Sequence, residues 1–370
     1  MHTVIKAIGT ATPNYKINQK NILESLLAIL NLPEEAQRKM KVLFRHTGIQ
    51  HRYSVLEDYT QSQKQLFFRP SPTAPFPSTA ERMQRYQKEA LPLVLKAIEN
   101  LEISTAQLQT TTHLIVVSCT GMYAPGIDIE LIQQLHLNST IQRTAIQFMG
   151  CYAAFNALKM ADYICKSDPQ AKVLVVGVEL CTLHLQAEPE EDNLLSAAIF
   201  ADGAAALWLE NNYNAAEEAK NNKKGIQLKH FYCDLVPQGA TDMSWHIRNY
   251  GFDMRLSSYV PDLLGGKMQE LLQKLQQIWQ INLQNIDLWA IHPGGKRILE
   301  TLEKVLTLTP EKNQYAYKVL AEYGNMSSVT VLFVLKEIFK QLTPADKGKT
   351  MMSMAFGPGL TLESALMEIV

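Results

Sequence analysis

The sequence lacks several features that would place it in a specialised class. Lys and Arg total 35 against 36 Asp and Glu, a formal net charge of −1, so no basic excess indicates a nucleic-acid-binding protein. No apolar run is long enough to span a bilayer. The first residues, Met-His-Thr-Val-Ile-Lys, lack the charged-then-apolar pattern of a secretory signal. We therefore expect a cytoplasmic protein that binds neither membranes nor nucleic acids.

Cysteine is scarce, and its spacing argues against two kinds of site. The five cysteines (Cys119, Cys151, Cys165, Cys181 and Cys233) are odd in number and never form a CxxC motif. This pattern argues against a disulfide framework and against a zinc site. The sequence also contains no histidine pair with metal-ligand spacing, no P-loop and no G-x-S-x-G elbow. We expect reduced cysteines and no metal.

The sequence is rich in apolar residues. Hydrophobic residues make up 46% of its 370 residues and charged residues 19%, which allows two domains or one large duplicated fold. The polar segment from Asn211 to Lys224 is the best candidate boundary, and it divides the chain into halves 1–210 and 225–370. Both halves alternate helices with apolar strands, which predicts a duplicated α/β fold with ligands at the carboxyl ends of strands.

Local patterns predict particular strands and helices. The continuous apolar runs His113–Ser118 and Lys172–Val178 are typical of strands covered on both faces. Ser78 and Glu81 form a capping box for a long helix. Pro92 lies within that helix, and we expect a kink or a break there.

Cys151 follows a predicted strand, Thr144–Phe148, and stands at the start of a predicted helix. Gly150 lies at the junction, where a sharp turn is easiest without a Cβ. Because a helix start favours negative charge, this position predicts a stabilised thiolate nucleophile. A small buried hydrophobic residue is the alternative, and this stretch alone does not separate the two.

His292 and Asn325 complete a possible catalytic set with Cys151. His292 follows the apolar strand 286–291, and Asn325 precedes a helix. Each alone would more often be structural, as a hydrogen-bonding histidine or as an N-cap. Together with Cys151 they are the parts of a Cys–His–Asn site. In such a site the imidazole takes the thiol proton, and the His and Asn donors stabilise an oxyanion or enolate.

At these residues the chain resembles the type III polyketide synthases, the chalcone-synthase-like enzymes of the thiolase fold. Five stretches in order carry the resemblance: Gly150-Cys151-Tyr-Ala, Asp202-Gly-Ala-Ala, His292-Pro-Gly-Gly295, Tyr323-Gly-Asn325-Met-Ser-Ser and Phe356-Gly-Pro-Gly359. The resemblance covers nearly the whole chain. It implies a duplicated thiolase-like α/β fold layered αβαβα, a homodimer, and no cofactor, since acyl-CoA and malonyl-CoA are substrates. It also implies that Cys151 carries the acyl chain while His292 and Asn325 promote malonyl-CoA decarboxylation.

The same resemblance implies a set of binding residues. Phe200 matches one of the family's two gatekeeper phenylalanines, and Met254 replaces the other. The other implied substrate-binding positions are Thr120, Ala124, Cys181, His184, Gly357 and Pro358. Lys39 matches a CoA-phosphate position, with Lys41 and Arg45 nearby; a solvated helix face is the alternative.

The expected starter is a medium- or long-chain fatty acyl-CoA. Small residues at Thr120, Ala124 and Cys181, with flexible Met254, would open an apolar tunnel, although larger neighbours could leave a compact cavity. Residues 179–184 resemble the corresponding segment of the bacterial members of this family, which make alkylpyrones, alkylresorcinols or hydroxylated naphthalenes.

Two other functions compete with this one. A β-ketoacyl-ACP synthase III shares the fold and the Cys–His–Asn chemistry, but would be expected to have His-Gln-Ala-Asn where this chain has His292-Pro-Gly-Gly. A non-catalytic thiolase-fold protein that only binds acyl-CoA or a partner is the second alternative.

Overall fold

The computed structural model describes residues 2–60, 67–69, 76–211, 224–239, 243–256 and 260–370, the last range without the side chains of 260–264. The boundary segment predicted at 211–224 lies almost entirely outside these residues, as does most of the proline-rich stretch before the long helix.

Strands and helices alternate in both halves of the chain. The strands are β1 Val4–Ala11, β2 Tyr15–Asn18, β3 His51–Ser54, β4 His113–Ser118, β5 Gln142–Gln147, β6 Lys172–Leu180, β7 Asp202–Glu210, β8 Ile226–Leu235, β9 Met243–Arg248, β10 Gly251–Leu256, β11 Leu288–Ile291, β12 Thr350–Gly357 and β13 Thr361–Ile369. The α-helices are α1 Gln19–Leu30, α2 Glu34–His46, α3 Thr79–Glu99, α4 Thr105–Leu108, α5 Ile127–Gln134, α6 Ala153–Ser167, α7 Glu191–Ile199, α8 Val260–Trp279, α9 Lys296–Leu306, α10 Gln314–Tyr323 and α11 Thr330–Gln341.

One mixed sheet shows the duplication directly. Its order is β11-β12-β13-β8-β1-β7-β6-β4-β5 among the described strands. The run β1-β7-β6-β4 in the first half has the same order and the same directions as β8-β13-β12-β11 in the second. The helix before β6 is α6, and the helix before β12 is α11, so these two helices occupy equivalent places.

Helices cover both faces of this sheet. On β6, Val173 and Val175 pack in the core that contains α6 and α11, whereas Leu174 and Val176 pack in the core that contains α3 and α9. Every residue of β6 after Lys172 is buried, as its continuous apolar sequence predicts. Each half contributes a run of four strands and an outer helix, α3 in the first half and α9 in the second, and the pair α6 and α11 packs in the inner core. This arrangement gives the thiolase-like αβαβα layers.

Most local predictions are confirmed. Ser78 and Glu81 form the capping box at the start of α3. The same helix continues through Pro92, so the alternative of a break there is wrong. Among the described residues, no helix is long and apolar enough to cross a membrane.

Candidate active site

The turn that carries Cys151 is packed directly on the Gly357–Pro358 loop. Gly150 has φ +82°, and a Cβ there would lie 2.3 Å from Pro358 Cδ. A Cβ on Gly357 would lie 2.5 Å from the Tyr152 ring and 3.3 Å from the Cys151 nitrogen. Both glycines are therefore required for this close approach, and the loop at the end of β12 fixes the position of the thiol.

Cys151 lies in the turn just before α6 and is 7% exposed. Its Sγ is 3.9 Å from Ser327 Oγ. Tyr152 occupies the N-cap position and makes no side-chain cap. In the first turn of α6, the Ala153 N–H donates to Gly150 O at 3.0 Å and the Phe155 N–H donates to Tyr152 O at 2.9 Å.

His292 directly follows β11 and is 2% exposed. Its backbone N–H donates to Met354 O at 2.8 Å, which ties it to β12. Among the described residues, neither ring nitrogen has a hydrogen-bond partner. Both nitrogens therefore remain available to a substrate or to the thiol.

Asn325 connects the two halves of the chain. Its backbone N–H donates to Ile199 O, and its carbonyl accepts from the Ala201 N–H, both at 2.9 Å. Its side-chain Oδ1 accepts from the Ser327 N–H at 2.9 Å, and its Nδ2 donates to Gly294 O at 3.0 Å. This network fixes the amide orientation and leaves one Nδ2 hydrogen for another acceptor.

The three predicted catalytic residues line one cavity. Its volume is about 20 Å³, room for roughly one water. Cys151, His292 and Asn325 share it with Phe200 and Met254, and the remaining lining residues include Met243, Leu256, Gly294, Ile298, Phe356 and Pro358. Segments far apart in sequence therefore converge on this cavity.

Burial is the main influence on the pKa values of Cys151 and His292. Burial raises the pKa of Cys151 to about 12, partly opposed by the Ser327 hydrogen bond. It lowers the pKa of His292 to about 3. Desolvation therefore outweighs the stabilisation of a thiolate that the helix start predicts. Neither group gains by ionising alone, but proton transfer from thiol to imidazole creates opposite charges that attract strongly in the dry site.

Glu179, at the end of β6, was missed as a site residue. Its carboxylate accepts from the Cys119 N–H and from Thr120 Oγ1, both at 2.9 Å, and from the Ser328 hydroxyl. Burial raises its pKa to about 7. Its charge also raises the pKa of Cys151. In the sequence, Glu179 is recognisable as a single acidic residue at the end of an apolar strand.

Thr120 and Ala124 do not line the cavity at Cys151. The Thr120 hydroxyl donates to Glu179 and accepts from the Leu180 N–H at 2.8 Å. Ala124 lines a separate groove of about 310 Å³ beside β5, together with Met122 and Pro125. The loop after β4 therefore directs successive side chains to different places.

Cys181 and His184 line a second cavity, of about 50 Å³, which Phe200 and Met254 also line. His184 Nε2 lies 2.7 Å from Thr120 O, and its Nδ1 accepts from the Phe252 N–H at 2.9 Å. Its ring stacks on Phe252 with centroids 4.3 Å apart. Burial lowers its pKa to about 3, so it remains neutral and holds the β9–β10 hairpin in place.

The basic residues Lys39, Lys41 and Arg45 lie on the exposed side of α2. Lys39 Nζ is 2.9 Å from Glu35 Oε1, and this hydrogen bond raises the pKa of Lys39. None of the three lines the cavities described above. At the end of the same helix, a Cβ on Gly48 would lie 3.3 Å from Lys296 Cδ, so a further lysine adjoins this basic surface.

Comparisons with known proteins agree with this architecture. Residues 2–212 match the family model "Chalcone and stilbene synthases, N-terminal domain", and residues 227–370 match the C-terminal domain model. "Alpha-pyrone synthesis polyketide synthase-like Pks18" of Mycobacterium tuberculosis is 28% identical over 99% of this chain and 91% of its own length. "Type III polyketide synthase C" of Arabidopsis thaliana is 28% identical over 98% and 94%.

Solved structures show the same likeness. The crystal structure of PKS-I from the brown alga Ectocarpus siliculosus superposes with a TM-score of 0.87 at 26% identity, covering 100% of this chain and 98% of that one. The type III polyketide synthase domain of Dictyostelium "Steely1" gives 0.85 at 25% identity, covering 100% and 99%. These matches favour a polyketide synthase over a β-ketoacyl-ACP synthase III or a non-catalytic binding protein. The chain therefore belongs to the chalcone and stilbene synthase family and is a type III polyketide synthase, an acyltransferase.

Proposed function

We propose that Cys151 carries the starter and the growing chain, while His292 and Asn325 serve as proton acceptor and hydrogen-bond donors. The observation that carries this proposal is the cavity shared by all three side chains, with both His292 nitrogens unpartnered among the described residues. In loading, Sγ attacks the acyl-CoA carbonyl as its proton moves to His292, and that proton then leaves with the CoA thiol. No cofactor is required in this step.

The extension step uses the same two donors. Loss of CO2 from malonyl-CoA leaves an enolate, whose oxygen accepts from His292 and from the remaining Asn325 Nδ2 hydrogen. The enolate carbon then attacks the thioester on Cys151; the C–S bond breaks, Cys151 leaves as the thiolate, and the chain, longer by two carbons, is now a β-ketoacyl-CoA. For a further extension the thiolate attacks that CoA thioester, which returns the chain to Cys151 and releases CoA. Phe356 and Pro358, which line the cavity, help exclude water from this enolate.

Two substitutions test these roles. Cys151→Ala should abolish the covalent acyl adduct seen by intact mass, while Cys165→Ala, a buried cysteine of α6, is the matched control. Asn325→Ala should still load acyl groups but decarboxylate malonyl-CoA about a hundredfold more slowly or worse. An acyl adduct on the Cys151→Ala protein would refute the assignment.

The starter in this proposal is a medium- or long-chain fatty acyl-CoA. Met254 lines both the cavity at Cys151 and the second cavity, and its flexible side chain is suited to moving aside. The two cavities have room for only about one and four waters as they stand, so a long chain requires that movement. By likeness to Pks18, whose name refers to alpha-pyrone synthesis, we expect a pyrone product, with a resorcinol or related polyphenol as the alternative.

Steady-state kinetics with starters from acetyl-CoA to palmitoyl-CoA test this choice. We expect kcat/KM to rise with chain length, and Cys181→Phe to remove most of the long-chain activity because it fills the second cavity. A flat dependence on chain length, or an unaffected Cys181→Phe enzyme, would instead favour the compact cavity.

We assign the CoA phosphates to the basic surface of Lys39, Lys41 and Arg45. Lys41→Glu should raise KM for an acyl-CoA starter several-fold, because it places a negative charge near the phosphates. It should leave KM for the same acyl group on N-acetylcysteamine unchanged, since that thioester has no phosphate. Equal effects on both thioesters would contradict the assignment.

We further propose a cytoplasmic homodimer. β5 ends the sheet of described strands with an unpaired edge, and the groove containing Ala124 lies beside it. A free edge of this kind is a surface that a second copy can cover. Light scattering at micromolar concentration should give twice the chain mass of 41.7 kDa. A monomer would exclude this interface.

A further inference from the structure

Arg52, on β3, is a buried cation with one unused nitrogen. It is 4% exposed. Its Nε donates to Gln19 Oε1 at 2.8 Å, and its Nη1 donates to Ala197 O at 2.8 Å and to Phe200 O at 2.6 Å. The last two bonds satisfy carbonyls at the end of α7. Nη2 has no hydrogen-bond partner among the described residues, which leaves two N–H donors without an acceptor, while the guanidinium Cζ lies 5.5 Å from the centroid of the Phe44 ring.

A second unused donor lies beside the same cavity. The Ser196 hydroxyl oxygen, on α7, is also buried and has no partner in the described part of the chain. Arg52 and Ser196 both line the second cavity of about 50 Å³, where Ile17, Ile22 and Leu26 provide apolar walls. Buried donors are nearly always paired in folded proteins, so we expect an acceptor beside these two donors, either a water or a ligand that enters the cavity.

The charge of Arg52 is partly balanced without using its free donor. Burial lowers the pKa of Arg52 to about 10, and the charge of Asp202 acts in the opposite direction. The Asp202 carboxylate accepts from the Val55 N–H and from Thr182, so it compensates charge at a distance. The cavity therefore offers hydrogen-bond donors in an apolar setting, which suits an uncharged oxygen better than a carboxylate.

We propose that Arg52 Nη2 and Ser196 Oγ bind a ketone oxygen on the distal part of the chain carried by Cys151. Phe200 and Met254 line both this cavity and the one at Cys151, so a chain passing between them reaches the two donors. This inference rests on the proposed function of Cys151. The ketone belongs either to an oxo-substituted starter or to an earlier extension of the growing chain, because each extension moves older carbonyls two carbons away from the thioester.

Pairs of starters that differ only by one ketone test whether the bound oxygen belongs to an oxo-substituted starter. The kcat/KM ratios of 5-oxohexanoyl-CoA to hexanoyl-CoA and of 7-oxooctanoyl-CoA to octanoyl-CoA are measured for the wild type, Ser196→Ala and Arg52→Lys. Ser167→Ala, on the exposed end of α6, is the matched control. We expect the wild type to prefer at least one oxo starter, and Ser196→Ala to lower that ratio about three- to tenfold. Arg52→Lys keeps the charge but lacks Nη2; if it fails to fold, Ser196→Ala decides.

The length of the products tests whether the bound oxygen belongs to an earlier extension of the growing chain. With plain octanoyl-CoA, Ser196→Ala should shorten the distribution of products if an earlier carbonyl is the bound group. If neither the ratio nor the distribution changes relative to Ser167→Ala, the donors bind only water and the proposal is overturned. Calorimetric binding of each oxo and plain CoA pair to Cys151→Ala protein measures the starter preference without turnover. Binding without turnover distinguishes two failures. If the proposed role of Cys151 is wrong, the oxo preference in binding remains; if the cavity does not bind a ketone oxygen, that preference is absent.

Discussion

Replacing Glu179 by Gln should change how stability depends on pH, and the structure fixes the sign. Burial raises the pKa of Glu179 to about 7 from an ordinary 4.5, against the hydrogen bonds from Ser328, Cys119 and Thr120. The folded protein thus binds this proton more tightly than the unfolded chain does. The resulting stability is fully present below pH 4.5 and is lost as the pH rises through about 7.

The size of the effect follows from the same two values. The difference between them corresponds to about 3 kcal/mol, at about 1.4 kcal/mol for each tenfold change in proton affinity. The amide of the Glu179→Gln variant cannot ionise, so the variant does not lose this contribution at higher pH. The amide also makes weaker hydrogen bonds than the carboxyl group, which changes the stability of the variant by an amount that does not depend on pH. The test therefore uses only the change in stability between two pH values.

Urea unfolding near pH 4.5 and near pH 8 measures the effect. The free energy of unfolding of Glu179→Gln minus that of the wild type should increase by about 3 kcal/mol between these two conditions. Glu99→Gln, on the exposed end of α3, controls for the loss of one surface carboxylate. A difference that stays constant within about 1 kcal/mol would show that Glu179 does not take up a proton on folding, and would refute the reasoning.

Two further predictions concern the turn that carries the thiol. Glu179→Gln should speed the alkylation of Cys151 by iodoacetamide at pH 8, because the Glu179 charge raises the pKa of Cys151; a slower reaction would contradict this. Gly150→Ala should cost about 2–4 kcal/mol of unfolding free energy, since its Cβ would meet Pro358 and its φ is positive. Gly266→Ala, in α8 with open space around it, should instead stabilise by up to about 1 kcal/mol, and equal effects of the two would refute the packing argument.

Much of the fold could be predicted because the local signals agreed with the tertiary structure. The capping box of Ser78 and Glu81 and the doubly buried strand β6 depend on neighbouring residues only. Pro92 shows the limit of such rules. It is exposed on the surface of α3, where the helix continues through it. The next two residues, Leu93 and Val94, are buried, so the packing of α3 against the core opposes the cost of the missing N–H.

The candidate site was predictable in its residues but less so in its geometry. Cys151, His292 and Asn325 stand at element ends, so short motifs located them, and the structure brings them together. The loop after β4 has no periodicity, which is why the directions of Thr120 and Ala124 could not be inferred. The pKa of Cys151 depends on burial and on the charge of Glu179, and the pKa of His292 depends on burial, which short motifs do not report.

The duplicated sheet explains why the site needs both halves of the chain. Cys151 and Asn325 precede the equivalent helices α6 and α11, so the internal symmetry alone places them facing each other. The contacts that fix them cross between halves. Gly150 packs on Pro358, and the backbone of Asn325 bonds on both sides of Phe200. Since the proposed nucleophile Cys151 lies in one half and the proposed donors His292 and Asn325 lie in the other, either half alone would lack a complete site. The proposed catalysis is therefore a property of the interface between the two repeats.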